Sequence, residues 1–254
     1  MMKLGLQGKN ALVTGGATGL GQQFVLALAK EGVTVAFSYL NEKEHPEVTL
    51  DKVEKETHQK AYGFKTDLSQ VDQARKLFDE AHEQLGQIDI LINNAGIWLS
   101  GKVTEIKEQD WDLEMKTNLR APFLLAQKFA LAANKEKHGG HVLNVTSQAA
   151  YYGSTTGHSH YAASKAGLIA FNASFAREQA QNGINSNNIA IGIMHTRMIQ
   201  ANLDKDPNYY VSRIPMGRVV EPEEIAKMGT LLVSDVYSYM TGATVDLTGG
   251  MLMH

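Results

Sequence analysis

Two groups of residues have types and spacings suited to chemistry. Thr14-Gly15-Gly16-Ala17-Thr18-Gly19-Leu20-Gly21 follows a short apolar run and opens into an amphipathic stretch. Glycines there let a backbone turn sharply and approach a pyrophosphate, whose charge is favoured by the unpaired N–H groups at a helix N-terminus. The spacing is Gly-x-x-x-Gly-x-Gly, not the general Gly-x-Gly-x-x-Gly fingerprint, so on its own it also describes an ordinary glycine-rich turn. The second group is Tyr161 and Lys165. Residues four apart share one face of a helix, so the ammonium can favour the phenolate and bring a phenol with a pKa of about 10 toward neutrality. Chance alone predicts about 0.6 Tyr-x-x-x-Lys matches, and a second copy stands at Tyr39 and Lys43. Context separates them: Tyr161 begins a long helical pattern shortly after a strand ending Asn144-Val145-Thr146-Ser147.

The elements that must position these groups alternate along the chain. Ala11 to Thr14, Val33 to Ser38, Ala61 to Thr66, Ile88 to Asn93, His141 to Thr146, Asn187 to Ile191 and Ala243 to Leu247 read as strands. Between them, Leu20 to Glu31, Glu47 to Thr57, Gln70 to Leu85, Lys107 to Asn134, Tyr161 to Asn182 and Pro222 to Ser234 carry helical patterns. Such alternation predicts an α/β fold, a Rossmann-type doubly wound parallel sheet of about seven strands with helices on both faces. Ligands of these sheets bind beyond the carboxyl ends of the strands, so the chemistry belongs just after strands. The position of the glycine loop between the first strand and the first helix favours its phosphate-binding reading.

Composition bounds the rest. The chain has 254 residues, 24 Lys+Arg against 27 Asp+Glu, a net charge of −3 and no Cys. A chain this long buries roughly 70% of its extended surface, enough for one large core. Without cysteine there is no disulfide framework, thiolate nucleophile or Cys-ligated zinc or iron–sulfur centre. The near-neutral balance, with a pI of about 6.3, gives no electrostatic reason to expect nucleic acid or an anionic membrane as partner. No stretch approaches the roughly 20 apolar residues a bilayer requires. A reducing, cytoplasmic location is the simplest expectation. The motifs run from Thr14 to Gly250 with no linker-like segment, so residues 1–254 are expected to form a single dinucleotide-binding and catalytic domain.

The sequence resembles the short-chain dehydrogenase/reductases over essentially its whole length. The resemblance rests on Thr14 to Gly21, Asn93-Asn94-Ala95-Gly96, Asn118, Ser147, Tyr161-Ala-Ala-Ser-Lys165, Gly217-Arg218 with Pro222-Glu223-Glu224, and Thr241-Gly242 with Gly249-Gly250. It implies reversible hydride transfer between a nicotinamide cofactor and a carbonyl or secondary alcohol, without a metal. Tyr161 would be the general acid/base, Lys165 would also hold the nicotinamide ribose, Ser147 would orient the carbonyl and Asn118 would anchor a water in a proton relay. For the cofactor it implies Gly15, Thr18, Gly19, Leu20 and Gly21 at the pyrophosphate, Ser38 and Tyr39 at the adenosine ribose, Asp67 and Leu68 at the adenine, Asn94, Ala95 and Gly96 against the ribose, and Gly192 and Thr196 beside the nicotinamide. Asp67 also reads as a helix cap. Ser147, Gln148, Tyr151 and Tyr161 would line the substrate pocket, with loops of about 148–160 and 193–216 shaping it.

Cofactor preference turns on the end of the second strand, Ser38-Tyr39-Leu40. NAD-specific sites place an acid there. Its absence spares a 2′-phosphate a repulsion of about 4 kcal/mol at about 4 Å and an effective dielectric of about 20. NADP is therefore favoured, with NAD as the alternative; Thr18, Ser38, Asn41 and Lys43 are candidate phosphate donors.

Three departures from the family pattern stand out: one extra residue between Ser147 and Tyr161, Ile191 in place of a proline before Gly192, and Thr248 where an acid often precedes Gly249-Gly250. His158 and His160 read as pocket residues or exposed loop positions, a pair too few for a metal site. The resemblance leaves open 3-oxoacyl-carrier-protein reduction and sugar or other small-carbonyl chemistry. His138 and Asn182, where a carrier protein would favour bases, tilt the reading toward a small free substrate. A nucleotide-sensing regulator would be expected to lose Tyr161, Lys165 or Ser147. Family tetramers pair through two long helices, so a homo-oligomer, a homotetramer, is expected.

Overall fold

The computed structural model describes residues 3–154, 157–196, 199–200, 204–206 and 208–253. Seven strands form one parallel sheet in the order β3-β2-β1-β4-β5-β6-β7, with β1 Asn10–Val13, β2 Thr34–Tyr39, β3 Ala61–Lys65, β4 Ile90–Asn93, β5 Gly140–Ser147, β6 Ile184–Ile191 and β7 Thr244–Leu247. The order reverses between β1 and β4, so the crevice for a ligand opens beyond their carboxyl ends.

Side chains of successive strand residues point to opposite faces, and here each face meets its own core. Ala11, Val13, Val35, Phe37, Ile90, Ile92, Leu143, Val145 and Ile189 pack beneath α1 (Gly19–Lys30), α2 (Pro46–Thr57) and the helix Pro222–Leu232. Leu12, Ala36, Leu91 and Val142 face the other way, onto α3 (Val71–Leu85) and the long helices that follow. Burial on both sides explains the nearly continuous apolar runs of β1 and β4.

The expected helix from Lys107 to Asn134 is three pieces in line: α4 Glu108–Met115, a π-helical turn Lys116–Arg120, and α5 Ala121–Glu136. A π turn shifts the register of side chains within a helix and is often found at functional sites. This one carries Asn118 at its centre. The expected loop after Ser147 contains a short helix α6, Ala149–Tyr152, before α7, Ser159–Gln179. Of the two expected substrate loops, residues 155–156, 197–198, 201–203 and 207, Met198 among them, lie outside the described residues.

β6 begins three residues earlier than expected, at Ile184, so that Asn185, Ser186, Asn187 and Asn188 all lie within the strand. Their polar groups are satisfied sideways. Asn93, Asn144, Asn188 and Thr244 stand directly opposite one another on β4, β5, β6 and β7. Asn93 Nδ2 donates to Asn144 Oδ1 at 2.9 Å, Asn144 Nδ2 to Asn188 Oδ1 at 3.2 Å, and Asn188 Nδ2 to Thr244 Oγ1 at 3.0 Å. Asn144 Nδ2 also reaches Asn172 Oδ1 of α7 at 3.0 Å, and Ser186 Oγ donates to the same oxygen at 2.5 Å. This buried row ties α7, and with it Tyr161 and Lys165, to the sheet.

Candidate functional site

The crevice between β1 and β4 is closed by polar stitching. Thr14 Oγ1 accepts the N–H groups of Asn94 and Ala95, each at 3.0 Å, and Asn94 Nδ2 donates to the Thr14 carbonyl at 2.9 Å. On the other side, Gly15 N donates to Ser38 Oγ at 3.1 Å and Gly16 N to the Ser38 carbonyl at 2.9 Å. Ser38 is therefore a buried strut of the glycine loop, 1% exposed, where the resemblance placed it at a ribose.

The glycines are required by close approach. A Cβ on Gly21 would lie 1.9 Å from the Gly15 carbonyl oxygen, and one on Gly15 would lie 3.2 Å from the Ala95 backbone at a φ of +66°. Gly19 has a φ of +54°, a left-handed conformation that disfavours side chains. Thr18 and Gly19 are exposed, Leu20 is buried, and no side chain caps the N-terminus of α1. Exposed backbone ending in uncapped helical N–H groups suits the charge of a pyrophosphate, so these residues fit a dinucleotide.

At the tip of β2 the structure brings in an acid that residues 38–40 do not contain. The Leu40 N–H donates to Glu44 Oε2 at 3.2 Å, because a tight helical turn at Glu42–Glu44 folds the chain back on the strand. Asn41 Oδ1 caps that turn through the Lys43 N–H. The expectation of a carboxylate-free strand end is thus corrected. Tyr39 is half-buried opposite Lys65 on β3. Asp67 Oδ1 accepts the Ser69 N–H at 2.9 Å, a local turn ahead of α3, whose N-cap is Gln70. Leu68 is buried in the second core.

The remaining candidates converge beyond β4 and β5. Asn118 holds the segment after β4 like a neighbouring strand: its Oδ1 accepts the Ile97 N–H at 2.8 Å and its Nδ2 donates to the Ile97 carbonyl at 2.9 Å. The same Nδ2 reaches Ser164 Oγ at 3.2 Å, on α7 between Tyr161 and Lys165. A Cβ on Gly96 would lie 3.2 Å from Asn118 Oδ1 and 3.4 Å from Lys165 Nζ. Lys165 Nζ is buried, donates to the Val145 carbonyl at 2.9 Å, and lies 5.8 Å from the centre of the Tyr161 ring. Ser147 is near enough to the Tyr161 phenol to favour its ionised form.

Electrostatically, burial outweighs the expected help from Lys165. It pushes the Tyr161 phenol up to about 12, against the lowering effect of Ser147, and the Lys165 ammonium down to about 8. Each charged form is disfavoured by lost hydration. The protein alone therefore holds a neutral phenol beside an ammonium that is mostly charged at pH 7.

Gln148 immediately precedes α6, its N–H donating to the Ile191 carbonyl at 3.1 Å, and Tyr151 lies on that helix, 41% exposed. Ile191 ends β6 opposite Leu247, and a Cβ on the following Gly192 would lie 2.8 Å from Thr248 Cα. The Thr196 carbonyl accepts the Gln200 N–H at 3.1 Å. Neither histidine of the 157–160 segment is an open loop residue. His158 is 5% exposed, stacks on Trp98 with ring centres 4.2 Å apart and bonds the Leu99 carbonyl at 2.8 Å through Nδ1; His160 is 1% exposed, beside Glu114. Glu114 was missed in the sequence, although it stands one helical turn before Asn118, an acid on a face that must turn inward.

The chain is similar to known proteins over nearly its whole length. A family model described as enoyl-(acyl carrier protein) reductase matches residues 15–252. The 3-oxoacyl-acyl-carrier-protein reductase FabG of Thermotoga maritima is 34% identical over 251 residues, 98% of this chain and 99% of its own length. A solved short-chain type dehydrogenase/reductase from Mycobacterium marinum superposes with a TM-score of 0.91 at 30% identity, covering 99% of this chain and 98% of that one. A candidate 2-deoxy-d-gluconate 3-dehydrogenase from Agrobacterium tumefaciens, solved with bound NADP, gives a TM-score of 0.89 at 33% identity, covering 99% of both chains. The doubly wound sheet, the glycine cradle and these likenesses together establish that the chain belongs to the short-chain dehydrogenase/reductase family of NAD(P)-dependent oxidoreductases.

Proposed function

We propose that the chain reduces a small carbonyl compound, or oxidises the matching secondary alcohol, with Tyr161 as the general acid/base. The observation that carries this reading is the convergence of Ser147, Tyr161, Lys165 and Asn118 beyond the ends of β4 and β5. A nicotinamide dinucleotide bound along the glycine loop supplies or accepts the hydride. As charge develops on the substrate oxygen, Ser147 offers a hydrogen bond and Tyr161 a proton. The Lys165 ammonium stabilises the phenolate left behind. The Asn118 amide holds Ile97 and Ser164, so we assign any hold on a relay water to its main chain. Residues 1–254 act on this reading as one domain, with residues 148–160 and 193–216 as the substrate side.

NADP is favoured over NAD, supported by the relative solved with it, by the exposed Thr18 at the N-terminus of α1 and by Lys43 in the turn after β2. The Glu44 carboxylate at the Leu40 N–H would repel a 2′-phosphate bound near it, so Glu44→Gln is expected to tighten NADPH more than NADH in fluorescence titrations. We assign a homotetramer paired through the long helices, supported by Phe123 and Leu131 of α5, 39% and 64% exposed, with Phe123 edge-on to Phe171 of α7. A cytoplasmic location accords with a chain free of cysteine; no helix among the described residues is long and apolar enough to cross a membrane.

The test is a carbonyl and alcohol panel followed at the nicotinamide absorbance, with sugars, simple ketones and a 3-oxoacyl thioester. Turnover of a ketone or sugar with NADPH is expected, and no turnover of any member with either cofactor would refute the reading. The second reading, 3-oxoacyl-carrier-protein reduction, is favoured by the likeness to FabG and predicts that the thioester is the best substrate by at least about tenfold in kcat/KM.

A further inference from the structure

Behind Tyr161 lies a pair of ionisable side chains that the proposed reaction does not use. Glu114 of α4 is 0% exposed and His160 at the start of α7 is 1% exposed. Glu114 Oε1 accepts the Leu99 N–H at 2.8 Å. Its other oxygen lies 3.2 Å from His160 Nδ1, at an angle unlike that of a hydrogen bond, so among the described residues neither Oε2 nor either ring nitrogen has a hydrogen-bond partner. Asn118 and Glu114 stand one helical turn apart and grip Ile97 and Leu99, two residues apart on the same edge of an extended segment. The Leu99 carbonyl accepts from His158 Nδ1 at 2.8 Å, and the Gly101 N–H donates to the Gly157 carbonyl at 2.8 Å. A chain of bonds therefore runs from Glu114 through Leu99 to His158, three residues before Tyr161.

We propose that Glu114 and His160 are positioning residues for Tyr161, a buried acid–base pair that shares one proton and pins the segment Ile97–Gly101 to the start of α7. One shared proton leaves the pair neutral overall, the arrangement that costs least away from water. Burial favours the same result: it raises the Glu114 carboxyl to about 7 and lowers the His160 imidazole. The other charges facing the pair are Lys165 and His158 from the α7 side and Asp110 on α4. When the shared proton leaves, a net negative charge appears near Tyr161, one of the causes that raise its phenol, so proton donation to a substrate weakens. Carbonyl reduction should thus slow as pH rises through the ionisation of the pair.

This inference rests on Tyr161 being the proton donor, and its test separates the two. In the first arm, the Leu99 amide and the His160 ring are followed by NMR from pH 5 to 9 in the full chain, with His160→Asn assigning the ring. Titration of both with one midpoint, lost from Leu99 in Glu114→Gln, is expected. A His160 ring titrating near its ordinary value of about 6.5 with Leu99 unmoved would overturn the pair, whether or not any substrate is turned over. In the second arm, Glu114→Ala is expected to lower kcat about tenfold with the KM for NADPH changed less than threefold. Glu114→Gln, which can still accept the Leu99 N–H, should restore most of kcat but lose the neutral limb of the pH profile; His160→Asn should move that limb to lower pH. A profile unchanged in Glu114→Gln would also overturn the proposal.

Discussion

At the end of β1 the chain is held by close backbone approach. Gly21 leaves no room for a Cβ against the Gly15 carbonyl, and Gly15 packs on Ala95. Around Tyr161 the chain is held by buried polar side chains: Asn118 and Glu114 grip an extended segment, and Asn144 joins β4, β6 and α7. Thr14, Ser38 and Asn94 stitch the first region from beneath, but toward a ligand it works by what its glycines lack, and the second by what its side chains carry. A surface that must lie flat against phosphates needs bare N–H groups, whereas a proton donor must be fixed in place while groups around it change charge. Damage to the first should therefore appear as lost cofactor binding, and damage to the second as lost turnover or stability.

The sharpest test of that division is Tyr161→Phe. It is expected to reduce kcat by at least about 10³-fold, about 4 kcal/mol in barrier, with NADPH affinity by fluorescence titration changed little; retained turnover would remove Tyr161 as the proton donor. Asn144→Ala should come next, because it leaves Asn93, Asn172 and Asn188 short of buried partners. A loss of about 3–4 kcal/mol in urea denaturation is expected, and a loss under about 1 kcal/mol would show that the polar row is dispensable. Lys165 supplies a pH test. Its pKa in the folded chain, about 8 against an unperturbed 10.5, means that the unfolded chain binds more protons between those values. Its contribution to stability therefore rises with pH across that window. From pH 8 to 10 the wild-type chain should gain about 2–3 kcal/mol relative to Lys165→Met, and parallel stability curves would contradict a desolvated ammonium. Smallest in stability is Gly21→Ala, expected to cost about 1–3 kcal/mol but to weaken NADPH binding disproportionately. Normal cofactor affinity in that variant would break the contrast between the two regions.

Much of this was readable from residue order. The short apolar run Ala11, Leu12 and Val13 marked a strand, and the glycines after it marked the turn into α1. Tyr161 and Lys165 were readable because helical spacing is local. The polar start of β6 was not, because Asn185 and Ser186 look like a turn until their partners on β5 and α7 are known. Glu44 escaped for a similar reason: it reaches the tip of β2 only by way of a helical turn. His158 and His160 looked like loop residues, and only the packing of Trp98, Leu99 and Glu114 around them shows that they are buried.

Local order was enough to establish the doubly wound sheet, the glycine cradle and the Tyr161–Lys165 pair, because each depends on residues within a few positions of one another or on repeated alternation of strand and helix. The tertiary structure alone decided the electrostatics. Whether Lys165 lowers the Tyr161 phenol or burial raises it depends on solvent exclusion by β5, α4 and α7 together, and burial prevails. It also decided that Glu114 and His160, 46 positions apart in the chain, meet behind the tyrosine, since a buried charge is shaped by neighbours in space and linear order does not specify them.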